Sequence, residues 1–576
     1  MSAHPHYRIE LADLSAHRYR VTLTLPEPAA EQCLSLPVWI PGSYLVREFA
    51  KHLSGLQARQ GAHPRPVEQR DKASWCVRAD PAAGPLTVVY DVYAFDASVR
   101  TAWLDAERAF FNPSSLCLRA HGFETREHHV ALAGVPDGWQ VATEMPAAQA
   151  GWVAADYDEL LDHPFEIGPH WQGQFEAGGI PHRIVVAGAW PSFDGRRLLA
   201  DVQRICSAHI AVWHGDDGSA PPFGHYLFLL NAVDDGYGGL EHRASTALIC
   251  ARRELPTSHE PAVPSDGYVR LLGLFSHEYF HAWHVKRLRP AEFATFDYQR
   301  ENYTELLWCF EGFTSYYDEL MLLRAGLVDA PRYLKLLGAS VNGVLASPGR
   351  RVQPLAQASF EAWTKYYRPD ENSPNATSNY YAQGALVALC LDLQLRTQGS
   401  SLDALMLRLW QASEGGPVSE ADILAAVADL GGEATAASLH TWVHGTDELP
   451  LRELLAAAGV DWRDDGRQTV AQRLGLRVRE SALTGITVTH VLDGGAAQAA
   501  GVQARDDLLG ANGWRLRRLD DLPSLQAADE AGLRLLVSRD QRLVELTLTL
   551  PPAQPAAVAL GLAASASPAR QRWLGA

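Results

Sequence analysis

Residues 275–284 read FSHEYFHAWH, and this stretch decides how the central part of the chain folds. His277 and His281 are four residues apart, so on an α-helix they lie one turn apart on the same face. Glu278 directly follows the first histidine. In an H-E-x-x-H pattern of this kind two imidazoles bind zinc and the glutamate acts as a general base. The stretch therefore predicts a helix that carries two ligands of a zinc site.

A third protein ligand is expected elsewhere, because a hydrolytic zinc site takes three and leaves one position for water. His284 lies on nearly the same face as His277 but about 10 Å further along the helix, so it reaches a shared ion poorly. The downstream segment ENYTELLWCFEGFTSYY offers Glu301, Glu305 and Glu311. Spacing alone does not choose among these three glutamates.

The composition is that of a globular protein with several domains. The chain has 576 residues, which predicts two to four domains, and it is 47% hydrophobic and 20% charged. Its net charge of −17 and the lack of a long basic run argue against a nucleic-acid partner. The seven cysteines form no C-x-x-C pair, so we expect reduced, mostly buried thiols.

The hydropathy pattern predicts neither a secretory signal nor a membrane span. The start, MSAHPHYRIELADLS, has no apolar core segment, and no stretch approaches 18 uninterrupted apolar residues. We therefore expect a cytoplasmic protein that does not enter a membrane.

The period with which apolar residues recur changes along the chain, and these changes predict four segments. Short alternating runs indicate an all-β domain over residues 1–165. Helical signals dominate the 166–465 segment, a small β-rich domain follows at 466–552, and the Ala/Pro/Ser-rich tail spans 553–576. We expect the tail to be weakly ordered, or packed on without a fold of its own.

Three segments resemble the aminopeptidase N type of gluzincin metallopeptidase. LWCFEGFTSYY is similar to the W-L-N-E-G-F-A segment of those enzymes, and the resemblance implies that Glu311 is the third zinc ligand. The tryptophan that follows H-E-x-x-H also matches. The gap from His281 to Glu311 is longer than in that family, which indicates a relative rather than a member.

YGGLEH (residues 237–242) is similar to the G-x-M-E-N stretch that lines the cleft of the same enzymes. The resemblance implies that Glu241 binds the α-amino group of the substrate, with Gly238 and Gly239 beside it. An exopeptidase needs such a group, because it must pair one positive charge at a fixed distance from the scissile bond.

NYYAQGALVAL (residues 379–389) is similar to the Y-x-K-G stretch whose tyrosine donates a hydrogen bond to the oxyanion. The pattern favours Tyr381 for this role, with the adjacent Tyr380 as the alternative. A neutral donor aimed at developing negative charge is what the chemistry requires.

Taken together, the chain resembles the glycyl aminopeptidase family, the gluzincins with a C-terminal PDZ domain. PVWIPGSYLVREFAKHL (37–53) is similar to the N-terminal hallmark of that family, and residues 485–516 to the PDZ pattern. The resemblance implies a multidomain α+β fold, with a saddle-like all-β N-terminal domain, a thermolysin-like catalytic domain with a helical subdomain, and a PDZ domain. It also implies a preference for N-terminal glycine or alanine.

The sequence therefore predicts a zinc aminopeptidase with one Zn²⁺ per chain that acts on peptides with a free N-terminus. Residues 473–478 (RLGLRV) of the PDZ segment would receive the carboxylate of a peptide or protein C-terminus. Two rival functions are a thermolysin-type endopeptidase, in which Glu241 would have no amine to bind, and a PDZ-based peptide-binding scaffold.

Overall fold

The computed structural model describes residues 4–215, 218–527, 532–565 and 567–575. The chain forms two compact units. The first comprises Met1–Tyr303, Tyr317–Leu327 and Met406–Ser419, and the second comprises Thr304–Tyr316, Val328–Leu405 and Glu420–Ala576.

The N-terminal domain in the first unit is built almost entirely of strands, because its apolar residues alternate with polar ones. In the strand Arg18–Leu25, for example, every second side chain is buried. The elements are β1 (His6–Asp13), β2 (Arg18–Leu25), β3 (Glu31–Ser35), β4 (Leu53–Gln60), β5 (His63–Arg65), β6 (Val67–Gln69), β7 (Ser74–Arg78), β8 (Leu86–Tyr93), β9 (Ala102–Leu104), β10 (Ala109–Phe111), β11 (Arg119–Ala120), β12 (His128–Ala133), β13 (Gln140–Ala142), β14 (Ala147–Ala148), β15 (Gly151–Ala154), α1 (Tyr157–Leu161) and β16 (Phe165–Gly168).

These strands form three sheets around one apolar core. The largest has eight strands in the order β14-β15-β12-β1-β2-β8-β4-β5, and two sheets of four have the orders β13-β16-β10-β9 and β11-β3-β7-β6. The core contains fully buried side chains from all three sheets, such as Val21, Leu34 and Phe111.

A mixed five-stranded sheet and two long helices follow in the same unit. The elements are β17 (Trp171–Ala177), β18 (Ile180–Ala187), α2 (Gly195–His214), β19 (Tyr226–Val233), β20 (Tyr237–Glu241), β21 (Ser245–Ala251) and α3 (Asp266–Phe280). The strand order is β17-β18-β19-β21-β20, with β18, β19 and β21 parallel and β20 an antiparallel edge strand. Ser265 caps the start of α3, accepting a hydrogen bond from the Tyr268 N–H at 3.1 Å.

The helical part of the chain runs from α4 to α13. Its elements are α4 (Leu307–Phe310), α5 (Gly312–Arg324), α6 (Ala330–Leu345), α7 (Leu355–Phe360), α8 (Ser373–Ala376), α9 (Ala382–Thr397), α10 (Leu402–Ala412), α11 (Glu420–Gly431), α12 (Glu433–His444) and α13 (Leu451–Ala457). Across its whole length the described chain also has seven short 3₁₀ turns, at Phe49–His52, Pro81–Ala83, Pro113–Ser115, Arg252–Glu254, Ala291–Phe293, Pro348–Arg351 and Leu519–Leu525.

The PDZ segment has its own sheet and core within the second unit. Its elements, with those that flank it, are β22 (Val460–Arg467), α14 (Val470–Leu474), β23 (Leu476–Ser481), β24 (Gly485–Val491), α15 (Ala496–Ala499), β25 (Asp507–Ala511), β26 (Trp514–Arg515), β27 (Leu533–Arg539), β28 (Arg542–Leu548), β29 (Pro555–Leu562) and α16 (Pro568–Leu574). The sheet order is β23-β24-β25-β27-β28, with β26 paired to β25.

The C-terminal tail is more ordered than its composition suggests. β29 pairs antiparallel with β22, which precedes the PDZ segment. In α16 the Trp573 side chain is 3% exposed, and its indole N–H donates to the Tyr316 hydroxyl at 3.0 Å. The tail thus returns from the PDZ segment and packs on the helical part of the unit. Of the two expectations for it, weak order is wrong, and packing onto the rest of the chain is what the structure has.

The predicted multidomain α+β fold class is confirmed by this architecture: an all-β N-terminal domain, a mixed α/β and helical central region, and a C-terminal β-rich domain with its own core. The cysteines are free thiols, and six of the seven are buried. No helix in the described ranges is both long and apolar enough to cross a bilayer. The cytoplasmic location stays a prediction, as do the four segment boundaries.

Candidate active site

The two histidines of the H-E-x-x-H stretch lie at the end of α3 and point at each other. Their Nε2 atoms are 3.1 Å apart, and the rings meet edge to face. His277 Nδ1 is 3.3 Å from Asp318 Oδ2, and His281 Nδ1 donates to the His284 carbonyl at 2.7 Å. Because a partner engages each Nδ1, the Nε2 lone pairs are left facing one point, which is the arrangement of metal-binding histidines.

His284 therefore enters the site through its backbone carbonyl and not through its ring. The ring packs edge to face against Phe280, with centroids 5.5 Å apart. This agrees with the argument from helix geometry that His284 is a poor third ligand for the ion.

Glu278 packs directly on the edge strand β20. A Cβ atom added to Gly239 would overlap the Glu278 carboxylate, so only glycine fits between them. The Glu278 side chain is 4% exposed. The edge strand thus holds the carboxylate of the predicted general base beside His281.

Glu241 ends the same strand and lies in the same cluster. One ligand atom each from Glu241, Glu278 and His281 lies within 4.8 Å of the others. Glu241 is 4% exposed, and within the described residues its carboxylate has no hydrogen-bond or ion-pair partner. A buried carboxylate without a partner is costly, so this group is suited to a cationic ligand.

A nearby carboxylate, that of Asp162, is already paired with a positively charged side chain. Glu241 differs from it because no such side chain pairs with Glu241 in the described residues. Asp162 is 2.7 Å from Lys286 Nζ and accepts the Arg243 N–H at 2.9 Å. Burial acts to raise the pKa of Asp162, but Lys286, His242 and Arg243 outweigh it and hold that pKa well below its usual range. Burial also lowers the pKa of His242, against the effect of Asp162.

Arg100 of the N-terminal domain reaches the edge strand and was not predicted from the sequence. Its guanidinium donates to the Gly239 carbonyl at 3.0 Å and lies close to Gly238. The strand that carries both glycines and Glu241 is thereby held from its open side.

Glu311 lies in the second unit, at the junction of α4 and α5, and is 2% exposed. Among the alternatives, Glu305 is exposed and Glu301 is half-buried. A Cβ on Gly312 would lie 2.6 Å from the backbone of Gly384, so the E-G-F and Y-A-Q-G motifs meet glycine to glycine. This close approach fixes the start of α5 against the start of α9.

Tyrosines gather around the start of α9. The Tyr381 and Tyr367 hydroxyls are 3.1 Å apart, and the Tyr380 and Tyr381 rings are stacked at 4.8 Å. Tyr380 is fully buried, whereas Tyr381 is partly exposed. Burial and then the Glu311 charge raise the pKa of Tyr381 well above its usual value, so its hydroxyl stays protonated and can donate.

Asp318 also escaped the sequence analysis, although a signal for it was present. It lies seven residues after Glu311, two helical turns along and so on the same face of the α5 region. A carboxylate in that position is suited to hold the Nδ1 of a metal-binding histidine.

Comparison with known protein families finds matches to three segments of the chain. Residues 6–169 match the model of the peptidase M61 N-terminal domain, 270–387 that of M61 glycyl aminopeptidase, and 466–538 that of the PDZ domain. No curated protein matches the chain.

Solved structures extend the match over the whole chain. An aminopeptidase N family protein from Idiomarina loihiensis is 35% identical, with a TM-score of 0.91, and the match covers 99% of this chain and 100% of that one. An M1 zinc metallopeptidase from Deinococcus radiodurans is 16% identical with a TM-score of 0.46, over 78% of this chain and 95% of that one. The predicted enzyme class, a zinc metallopeptidase of aminopeptidase type, is confirmed, and the chain belongs to the M61 glycyl aminopeptidase family.

Proposed function

We propose that the chain removes small N-terminal residues from peptides with a free amino terminus, using one zinc ion held by His277, His281 and Glu311. One pair of features carries the proposal. The Nε2 atoms of His277 and His281 converge, and the buried carboxylate of Glu241, which has no partner among the described residues, lies beside His281. Neither an endopeptidase nor a peptide-binding scaffold has a use for both features.

The donor set fits zinc. The combination of two imidazoles and one carboxylate is common among zinc hydrolases. The engaged Nδ1 atoms favour the tautomer in which each Nε2 carries the lone pair that would bind the metal. When bound there, zinc would polarise the scissile carbonyl and make water acidic enough to lose a proton near neutral pH.

Glu278 serves as the general base. Its carboxylate lies against Gly239 next to His281, so it can take a proton from water in the cleft and pass it to the leaving amine. The close packing against the edge strand orients the carboxylate.

Glu241 binds the α-ammonium of the substrate. It is placed at the end of the edge strand, where its charge is buried and has no counter-charge within the described residues. A primary ammonium would supply that charge, whereas an acylated amine would leave the carboxylate unpaired.

Tyr381 donates a hydrogen bond to the oxyanion. Its protonated, partly exposed hydroxyl is supported by Tyr367, while the fully buried Tyr380 is poorly placed to meet a substrate. A neutral donor of this kind stabilises negative charge that develops in the transition state.

The cavity beside Glu241 supports a preference for glycine or alanine. It measures about 40 Å³ and is walled by Trp39, Tyr44, Phe293 and Tyr298. Large N-terminal side chains would collide with these aromatic rings.

The PDZ domain gives the enzyme a second peptide-binding surface. β23 lies at one end of its sheet, and Gly475 before it has the left-handed φ of 69°. An edge strand that follows such a turn can accept a peptide or protein C-terminus as an added strand. We propose a C-terminal segment as the PDZ ligand.

A panel of chromogenic substrates tests the proposed function. Glycyl, alanyl, leucyl and N-acetylglycyl anilides are assayed before and after chelation, with zinc measured on the same samples. We expect cleavage of the first two, little of the others, and loss and recovery of activity with about one zinc per chain. Equal cleavage of free and acetylated substrates would contradict the aminopeptidase function.

A further inference from the structure

A large cavity lies at the carboxyl ends of the three parallel strands in the first unit. It measures about 820 Å³, and its lining includes Ala187 and Val233, the last residues of β18 and β19, and Arg252, the first residue after β21. In open α/β sheets ligands bind in the crevice outside the carboxyl ends of the strands, and pockets for small ligands measure about 300–1,000 Å³. The cavity therefore has the position and the size of a ligand site.

This cavity is separate from the proposed active site. β20 runs antiparallel to β21, so Glu241 at the end of β20 pairs with Thr246 near the start of β21, whereas Ala251 ends β21 beside the cavity. The strand from Thr246 to Ala251, at about 3.3 Å per residue, spans roughly 17 Å. Neither Glu241 nor Glu278 lines the cavity.

A buried histidine with unsatisfied ring nitrogens lines the cavity. His170, between β16 and β17, is 9% exposed, and neither ring nitrogen has a hydrogen-bond partner in the described residues. Buried polar atoms are normally hydrogen-bonded, so a polar ligand would remove an energetic cost here. Burial lowers the pKa of His170 to about 4, and Arg183 and Arg108 add to the effect, so the neutral ring offers one N–H donor and one acceptor. A peptide group offers the matching C=O and N–H.

Of the two arginines that line the cavity, one has no carboxylate partner. Arg108 pairs with Glu166 through two hydrogen bonds of 2.7 and 2.6 Å. Arg252 donates through Nη2 to the Ala232 carbonyl at 2.9 Å and through Nε to the Gly188 carbonyl, but no carboxylate of the described residues pairs with it. The positive charge of Arg252 is therefore left for an anionic group of a ligand.

A negative charge without a partner stands on another wall of the same cavity. Glu107 lies in the turn between β9 and β10, it is exposed, and its carboxylate pairs with no side chain in the described part of the chain. Asp105 in that turn accepts the N–H groups of Glu107 and Arg108 at 2.8 and 2.7 Å, which fixes the shape of the turn. Opposite charges on two walls suit a ligand that is itself a zwitterion.

Aromatic side chains form much of the remaining wall. Trp103, Trp171 and Trp190 line the cavity, and Trp171 packs edge to face on Phe193 with the ring centroids 5.1 Å apart. Trp190 is 47% exposed, so its indole still has apolar surface that a ligand could cover. Contact with an aromatic ring would bury that surface, and aromatic pairs gain energy beyond the area that they bury.

We propose that this cavity binds a short zwitterionic peptide that carries an aromatic side chain. Arg252 receives its C-terminal carboxylate, Glu107 receives its α-ammonium, and His170 bonds a peptide group between them. The tryptophans contact the aromatic side chain. Short zwitterionic peptides are what remains after an aminopeptidase has shortened its substrate. The site lies outside the residues on which the proposed function rests.

The first test varies the ligand and leaves the cavity unchanged. Phenylalanylphenylalanine, its C-terminal amide and its N-acetyl derivative are titrated calorimetrically into the full-length protein carrying Glu278→Gln, so that the dipeptide is not consumed. We expect the dipeptide to bind and the loss of either charge to weaken binding by about 3- to 10-fold. No binding of the dipeptide up to about 10 mM, or equal binding of all three ligands, would overturn the proposal.

The second test removes each charge from the protein in the same background. Arg252→Gln is compared with Arg253→Gln, because Arg253 is the adjacent, exposed arginine and does not line the cavity. We expect Arg252→Gln to bind the dipeptide and its amide equally, while Arg253→Gln keeps the difference between them. Glu107→Gln should bind free and acetylated dipeptide equally. A variant that keeps its difference overturns the site, and Glu107→Gln, at an exposed position, serves even where Arg252→Gln does not fold.

The last test separates a peptide from a free amino acid. His170→Phe keeps an aromatic ring and removes both ring nitrogens, and phenylalanine lacks the peptide group that they would bond. We expect the variant to bind the dipeptide about 3- to 10-fold more weakly and phenylalanine no more weakly than before. Phenylalanine that binds the unmodified cavity as tightly as the dipeptide would make the free amino acid the ligand and overturn the assignment to a peptide.

Discussion

Replacing Glu241 by glutamine should weaken cleavage of free-amine substrates and leave the slow cleavage of acetylated ones nearly unchanged. The change keeps the volume of the side chain and removes its charge. In the unmodified protein the residue is only 4% exposed, and its charge lacks a counter-charge in the described part of the chain. On the proposed function, the substrate ammonium supplies that counter-charge.

The magnitude follows from the cost of separating a buried pair. Removing one partner of a buried, hydrogen-bonded charge pair costs about 2–5 kcal/mol, which is roughly 30- to 5,000-fold in kcat/KM. Glycyl anilide and N-acetylglycyl anilide are assayed side by side with unmodified and Glu241→Gln enzyme. We expect the ratio of their kcat/KM values to fall by about that factor in the variant.

Glu166→Gln serves as the matched control, because Glu166 is equally buried but pairs with Arg108 within the N-terminal domain. Its loss should lower stability and leave the free-to-acetylated ratio unchanged. The proposed role of Glu241 is refuted if Glu241→Gln keeps the ratio of the unmodified enzyme, or if both variants change it alike.

Four further variants test the remaining roles. Glu278→Gln should retain zinc and lose about 10²–10⁴-fold in kcat, because only the proton acceptor is removed. Glu311→Ala should lose the metal, measured as zinc per chain after dialysis, because one of three ligands is gone. Tyr381→Phe should lower kcat by roughly 10²–10³ with KM little changed. Trp573→Ala should lower the free energy of unfolding by about 3–5 kcal/mol, since it empties a buried site.

Three of these variants have a counterpart that should behave differently. Glu301→Ala should keep its zinc, and zinc retained in Glu311→Ala would contradict the assignment of the third ligand. A larger loss of kcat from Tyr380→Phe than from Tyr381→Phe would exchange their roles. Trp514→Ala, at a 69% exposed position, should change stability by less than ~0.5 kcal/mol, and an equal effect of both tryptophans would contradict the packing of the tail.

The site residues that could be predicted from the sequence by geometry are those whose spacing along one helix places them together. The four-residue spacing of His277 and His281 needs only helix geometry, and the structure places both rings on one face of α3. Glu311 and Tyr381 came from resemblance, because their distance along the chain from α3 carries no geometric information. Asp318 could have been found, since it lies two helical turns after Glu311.

The parts that could not be reached depend on contacts between distant segments. Arg100 and Gly42 belong to an all-β domain whose alternating pattern predicts strands but not what its loops touch. The order of the tail is hidden in the sequence because an Ala/Pro/Ser-rich composition shows no apolar period. That order depends on pairing with β22, about a hundred residues earlier, and on one large side chain, Trp573.

The glycines of the site motifs show that a glycine in a sequence does not by itself reveal why the structure needs it. Glycine in a sequence usually indicates a turn, because it adopts backbone conformations that other residues avoid. Gly239 and Gly312 have ordinary φ values, yet an added Cβ would overlap the Glu278 carboxylate in one case and the Gly384 backbone in the other. At Gly42 both reasons apply, since its φ is 89° and an added Cβ would lie 2.5 Å from the Glu241 carboxylate oxygens. Glycine is therefore required at Gly239 and Gly312 because the Glu278 carboxylate or the start of α9 packs directly on the backbone there, and this requirement becomes visible only when the distant segment is in place.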